Sequence, residues 1–174
     1  MAVILGIDPG SRHCGYGVIN AVGSKLEYMA SGVIRVSTLP FPDRLQVIFT
    51  ELSAIIDEYH PSEAAIEEVF VGKSNVSALK LGQARGAAMV ACSNGNLTIH
   101  EYGARKVKKA LVGSGQADKK QVQHMITTLL RLSRAPSQDA ADALSVAVCH
   151  AHTQHSLIRM AGVSKSRRGR MVGH

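Results

Sequence analysis

The sequence predicts an α/β chain built on a mixed five-stranded sheet flanked by helices, and three observations carry that expectation. A continuous apolar run from Ala2 to Ile7 stops at Asp8-Pro9-Gly10. Two segments rich in Val, Ile and Tyr follow, with Val22-Gly23-Ser24 between them. From Asp43 onward, helical periodicity alternates with short apolar runs. Hairpins first and helix-linked strands afterwards give a sheet with antiparallel and parallel pairs. At 174 residues the chain has the length of one domain with a substantial core.

Residues 2–7 read as a buried strand, with 15–21 and 25–36 as two further strands joined by a tight turn. Leu39-Pro40-Phe41-Pro42 breaks the pattern. Asp43 then caps a helix with Leu45, Ile48, Phe49, Leu52, Ile55, Ile56 and Tyr59 on its apolar face. That helix must end by His60, because Pro61 disfavours helical geometry in the residue before it. A short strand is expected over 64–70 and a small-residue helix over 76–92, where Gly82 and Gly86 allow close backbone approach. Residues 97–102 read as a fifth strand. A basic stretch and a Gly113-Ser114-Gly115 loop come next, then a helix with Val122, Met125, Ile126, Leu129 and Leu130 inward. The final helix starts at Pro136-Ser137 and runs to about His152. The expected organisation is one folded domain over 1–157 and a basic, disordered tail over 158–174.

Charge narrows the function classes. The net charge is +7, yet the tail alone supplies five of those charges through Arg159, Lys165, Arg167, Arg168 and Arg170. Within the body, Arg105, Lys106, Lys108, Lys109, Lys119 and Lys120 are opposed only by Asp118. Such a patch suits a phosphate backbone, and equally a solvated helix face. No apolar run reaches the roughly 18 residues of a membrane span. The N-terminus reads as a strand rather than a signal peptide, so a cytoplasmic location is expected. Cys14, Cys92 and Cys149 lack CxxC spacing and read as reduced, mostly buried thiols. His150, His152 and His155 fit a solvated helix end better than a metal site.

Four of the thirteen acids occupy unusual places. Asp8 ends the most apolar strand, Glu67 follows Ala64-Ala65-Ile66, and Asp139 and Asp142 share one face of the last helix at i, i+3 spacing. Buried carboxylates without partners cost several kcal/mol (roughly) or lose their charge, and several together repel unless a cation holds them. Hard dications such as Mg²⁺ or Mn²⁺ prefer such oxygen ligands, and two ions about 4 Å apart suit phosphodiester hydrolysis. Each acid also has a plain structural reading, as a turn residue, a helix N-terminal acid or an ion-pair partner.

The motifs add a resemblance. Gly6-Ile7-Asp8-Pro9-Gly10-Ser11-Arg12 with Gly15-Tyr16-Gly17, Ala65-Ile66-Glu67 with Val69-Phe70, Ser77 to Gly86, and Asp139-Ala140-Ala141-Asp142-Ala143-Leu144 resemble, in order, the motifs of the RuvC family of Holliday-junction resolvases. The resemblance covers residues 1 to about 152. It implies an RNase H-like fold, a homodimer, and Mg²⁺-dependent nicking of two opposed strands at a four-way junction, beside a branch-migration complex of RuvA and RuvB. It implies that Asp8, Glu67, Asp139 and Asp142 are metal-binding catalytic acids, with Mn²⁺ able to replace Mg²⁺ and two ions per site. Lys108 and Lys119 match basic positions near the family's scissile phosphate, and Phe70 matches an aromatic that contacts junction bases. Glu68 lies beside Glu67, and neighbours on a strand face opposite ways, so only one can join the acids; the motif match selects Glu67. Two rivals are a sugar-kinase or actin-like ATPase, which needs two such lobes, and a non-catalytic junction binder.

Overall fold

A computed structural model describes residues 1–69 and 75–168. Strand β1 (Ala2–Asp8) lies at the centre of a sheet, hydrogen-bonded antiparallel to β2 (His13–Val22), which pairs with β3 (Lys25–Arg35). Gly23 holds a φ of 61° in the tight turn between β2 and β3. On its other side β1 pairs in parallel with β4 (Glu63–Glu67), and β4 with β5 (Thr98–Tyr102). The order is β3-β2-β1-β4-β5, the mixed five-stranded sheet that the sequence implied.

Helices cover both faces. On one side, α1 (Phe41–Tyr59) and α2 (Asn75–Asn94) close a core with Leu5, Ile7, Val18, Ala64 and Ile66. On the other, α3 (Ala104–Val112), α4 (Lys119–Leu129) and α5 (Gln138–Arg168) close a second core with Ile4, Ile19, Ala65 and Tyr102. Alternation along β1 and β4 assigns the faces, with odd and even positions serving different cores. The helix α1 ends at His60 in a left-handed conformation whose N–H donates to the Ile56 carbonyl, immediately before Pro61.

Several boundaries depart from expectation. The strand expected over 64–70 ends at Glu67, and the helix expected from an Asp43 cap starts at Phe41 instead, with Pro42 in its first turn. The basic stretch after Tyr102 is the helix α3, entered after Gly103 and closed by Gly113 at φ 76°. In α4, Val122 and Ile126 are buried, but Leu129, the last residue of the helix, is exposed. Gly82 and Gly86 face open space, so neither serves close approach within the chain. The helix α5 continues past His152 to Arg168, although Leu157, Ile158 and Met160 on it are exposed. The three cysteines are free and buried. Among the described residues no helix is long and apolar enough to cross a membrane.

Candidate active site

The acids come together because α5 lies almost on the backbone of β1 and β2. Ile4, Gly6 and Asp8 alternate onto the face that α5 covers. At Gly6 a Cβ would stand 2.1 Å from the Ala143 carbonyl oxygen, and at Gly15 it would stand 2.1 Å from that of Asp139. Only hydrogen at those two positions admits the helix. Gly15 is the cross-strand partner of Asp8, so the first turn of α5 is set over the end of β1. Small residues on the helix side, Ala140, Ala143 and Ala147, complete the close approach and are fully buried or nearly so.

Glu67 arrives through the parallel pairing. Ile7 is registered with Ile66, and one step further along each strand stand Asp8 and Glu67. Glu67 follows Ala65 on the α5 face, whereas Glu68 lies beyond β4 and is exposed, its N–H donating to the Tyr102 carbonyl. The four predicted acids therefore converge from three segments.

Their electrostatics reflect the gathering. Burial pushes the Asp8 carboxyl up to about 8, and the charges of Glu67, Asp142 and Asp139 and a hydrogen bond with Glu67 add to it. Burial also raises Glu67, helped by the Asp142 charge and opposed by the hydrogen bond to Asp8 and the ammonium groups of Lys119 and Lys108. Asp142 is raised by burial against the pull of Lys119, whose Nζ stands 3.7 Å from its carboxylate. Asp8 is thus held toward its protonated form beside Glu67, and an all-oxygen donor set is one that Mg²⁺ or Mn²⁺ accepts. Among the described residues, the three-ligand group whose ligand atoms all fall within 4.8 Å is a different one, Glu63, His100 and His150.

The two lysines reach the acids from helices. Lys119 opens α4, fixed by a capping box in which Asp118 accepts from the Gln121 N–H and Gln121 accepts from the Asp118 N–H. Lys108 stands half-buried on α3, the helix missed in the sequence. Its signal was present: Val107 and Leu111, four apart and both buried, lie between Gly103 and Gly113. Phe70 lies outside the described residues. The described residues form one sheet, where the ATPase rival needs two lobes.

Comparison with known proteins agrees with this geometry. The family model for crossover junction endodeoxyribonuclease RuvC matches residues 4–150. A crossover junction endodeoxyribonuclease RuvC of Teredinibacter turnerae is 61% identical, the match covering 99% of this chain and 100% of that protein. That of Saccharophagus degradans is 58% identical, over 99% and 100% respectively. The structure of Thermus thermophilus RuvC in complex with Holliday junction substrate superposes with a TM-score of 0.84 at 34% identity, covering 90% of this chain and 96% of that one. The fold is the RNase H-like one that the motifs implied. From residue 4 to residue 150, in motif order and in three dimensions, the chain belongs to the RuvC family of crossover junction endodeoxyribonucleases.

Proposed function

We propose that this chain resolves four-way DNA junctions by metal-dependent phosphodiester hydrolysis in recombination and repair, with Asp8, Glu67, Asp139 and Asp142 as its catalytic acids. The observation that carries the reading is the gathering of Asp8, Glu67 and Asp142, each raised by burial, beside two lysines, a state costly to keep without a dication. The four acids would hold Mg²⁺, with Mn²⁺ as a substitute and two ions per site. Bound there, the ions would activate water at neutral pH and polarise the phosphoryl oxygens.

The residues themselves divide the remaining work. Asp8, flanked by Glu67 and the first turn of α5, is the central ligand. Lys119 holds Asp142 and Glu67 toward their charged forms and, with Lys108, offsets charge that develops on the phosphate. In-line attack on the phosphorus leaves a 3′-hydroxyl and a 5′-phosphate. Phe70 lies three residues beyond Glu67 in the sequence and would stack on junction bases, worth about 1–3 kcal/mol per base.

A symmetric dimer would present one site to each of two equivalent strands. Its surface would be the outer face of α2, where Gly82 and Gly86 meet open space and Val76, Leu79 and Val90 are 62%, 68% and 58% exposed. A branch-migration complex of RuvA and RuvB in the cytoplasm is the expected setting. The basic residues of the tail beyond Leu157 would add phosphate contacts without sequence preference.

The test is incubation with a four-way junction, a linear duplex and an RNA–DNA hybrid, each with and without Mg²⁺. Paired nicks in the junction alone, lost without metal and in Asp8→Asn while junction binding persists, are expected. Binding without metal-dependent cutting would leave the non-catalytic junction binder standing instead.

A further inference from the structure

The face of the sheet that gathers the acids carries a second group of ligand-bearing side chains at its other end. Glu63, at the start of β4, shares a face with Ala65 and Glu67, and His100 shares a face with Tyr102 on β5. Against them α5 sets His150, which is fully buried. Four residues of strand separate Glu63 from Glu67, and eight residues of helix separate Asp142 from His150. Both spacings come to about 12–13 Å, so the two groups lie apart on one face. His150 has no part in a cluster with its helical neighbours His152 and His155.

The geometry is specific. The Glu63 carboxylate oxygen Oε2 stands 2.5 Å from His150 Nε2 and 3.4 Å from His100 Nε2, and all three ligand atoms fall within 4.8 Å of one another. Ligands about 2.0–2.2 Å from a tetrahedral Zn²⁺ sit roughly 3.3–3.5 Å apart, the spacing that His100 and Glu63 already have. His150 needs only to move back by a little under about 1 Å as its hydrogen bond is replaced. The imidazole rings of His100 and His150 stack with centroids 4.3 Å apart, and both Nε2 atoms lie against the same Glu63 oxygen. The far nitrogen of His150, Nδ1, is 2.7 Å from the Tyr102 hydroxyl. That outer hydrogen bond fixes the ring and its tautomer, as second partners of metal-ligating histidines do. Gln154 Nε2, 3.4 Å from the same Glu63 oxygen, borders the remaining side.

We propose that Glu63, His100 and His150 form a Zn²⁺ site, separate from the four acids, that clamps α5 to β4 and the edge strand β5. Two imidazoles and one carboxylate are a borderline donor set, suited to Zn²⁺ and its four-coordinate relatives and poorly matched to Mg²⁺. On binding, neutral His150 offers Nε2 to the metal and carries its single ring hydrogen on Nδ1, with no net proton released. Nδ1 then donates to Tyr102, whose hydroxyl can accept as readily as donate. Burial already holds His150 toward its neutral, ligating form.

The test is calorimetric titration of the metal-stripped full chain with Zn²⁺ in excess Mg²⁺, paralleled by Co²⁺ as a visible-absorption probe. One equivalent is expected to bind, raising the melting temperature and giving the spectrum of four-coordinate Co²⁺. His100→Ala and Glu63→Gln should each weaken binding at least tenfold, and Tyr102→Phe about tenfold through lost ring orientation. Asp8→Asn and the double variant His152→Gln/His155→Gln should bind as the parent does. Melting and circular dichroism without metal check that each variant folds; Tyr102→Phe retains all three ligands and keeps the test open should a ligand variant not fold. Unchanged Zn²⁺ affinity in folded His100→Ala, loss of binding in Asp8→Asn, or no Zn²⁺ bound by the parent would each overturn the site.

Discussion

Replacing Asp8 with Asn should make the metal-free protein more stable at neutral and alkaline pH while abolishing its cutting. Asp8 holds its proton up to about pH 8 in the folded chain, against 3.8 for a free carboxyl. Below pH 3.8 both states carry the proton and folding bears no penalty. Between about 4 and 8 the unfolded chain ionises first, the folded chain binds the extra proton, and stability falls as pH rises. The limiting slope is about 1.4 kcal/mol per pH unit, which sets an upper bound near 5 kcal/mol by pH 8. Asparagine keeps the shape and carries no charge, so it removes this penalty. A gain of about 2 kcal/mol at pH 8 corresponds to a melting temperature higher by roughly 4–8 °C. Thermal unfolding of parent and variant in EDTA across pH 4 to 8 measures it. The difference should open with pH and close near pH 4, and saturating Mg²⁺ should stabilise the parent alone. Equal melting temperatures at pH 8, or a gap that ignores pH, would refute the claim that Asp8 is a penalised buried carboxyl.

Other perturbations follow from the same geometry. Lys119→Ala should slow junction cutting by roughly 10–100-fold and move the acidic limb of the pH–rate profile upward, because its charge holds Asp142 and Glu67 down; stopped assays across pH read both. Gly15→Ala sets a methyl 2.1 Å from the Asp139 carbonyl oxygen and should cost about 1–3 kcal/mol or more in urea unfolding, with activity falling as the first turn of α5 lifts. Leu79→Glu on the outer face of α2 should yield monomers by sedimentation and unpaired nicks on a labelled junction. Deleting residues after Leu157 should lower the salt dependence of junction binding and spare the chemistry.

What the sequence determined by itself was the class of fold and the identity of the acids. Period-two and helical patterns are local, and Asp8-Pro9-Gly10, Ala65-Ile66-Glu67 and the i, i+3 pair Asp139 and Asp142 are each contained within a few residues. Element ends were read less well: α3 looked like a mere basic stretch, and α5 outran its apolar periodicity by sixteen residues, from His152 to Arg168. Tertiary structure gave the physical reason that Glu67 and not Glu68 joins the acids, because the parallel register of β1 on β4 fixes which neighbour faces α5. It alone decided two things more. It gathered the acids, because Gly6 and Gly15 allow a helix more than a hundred residues away to rest on their backbone. It joined His150 to Glu63 and His100 instead of to the nearby His152 and His155, since strand order and helix placement, which no local pattern encodes, determine which side chains meet.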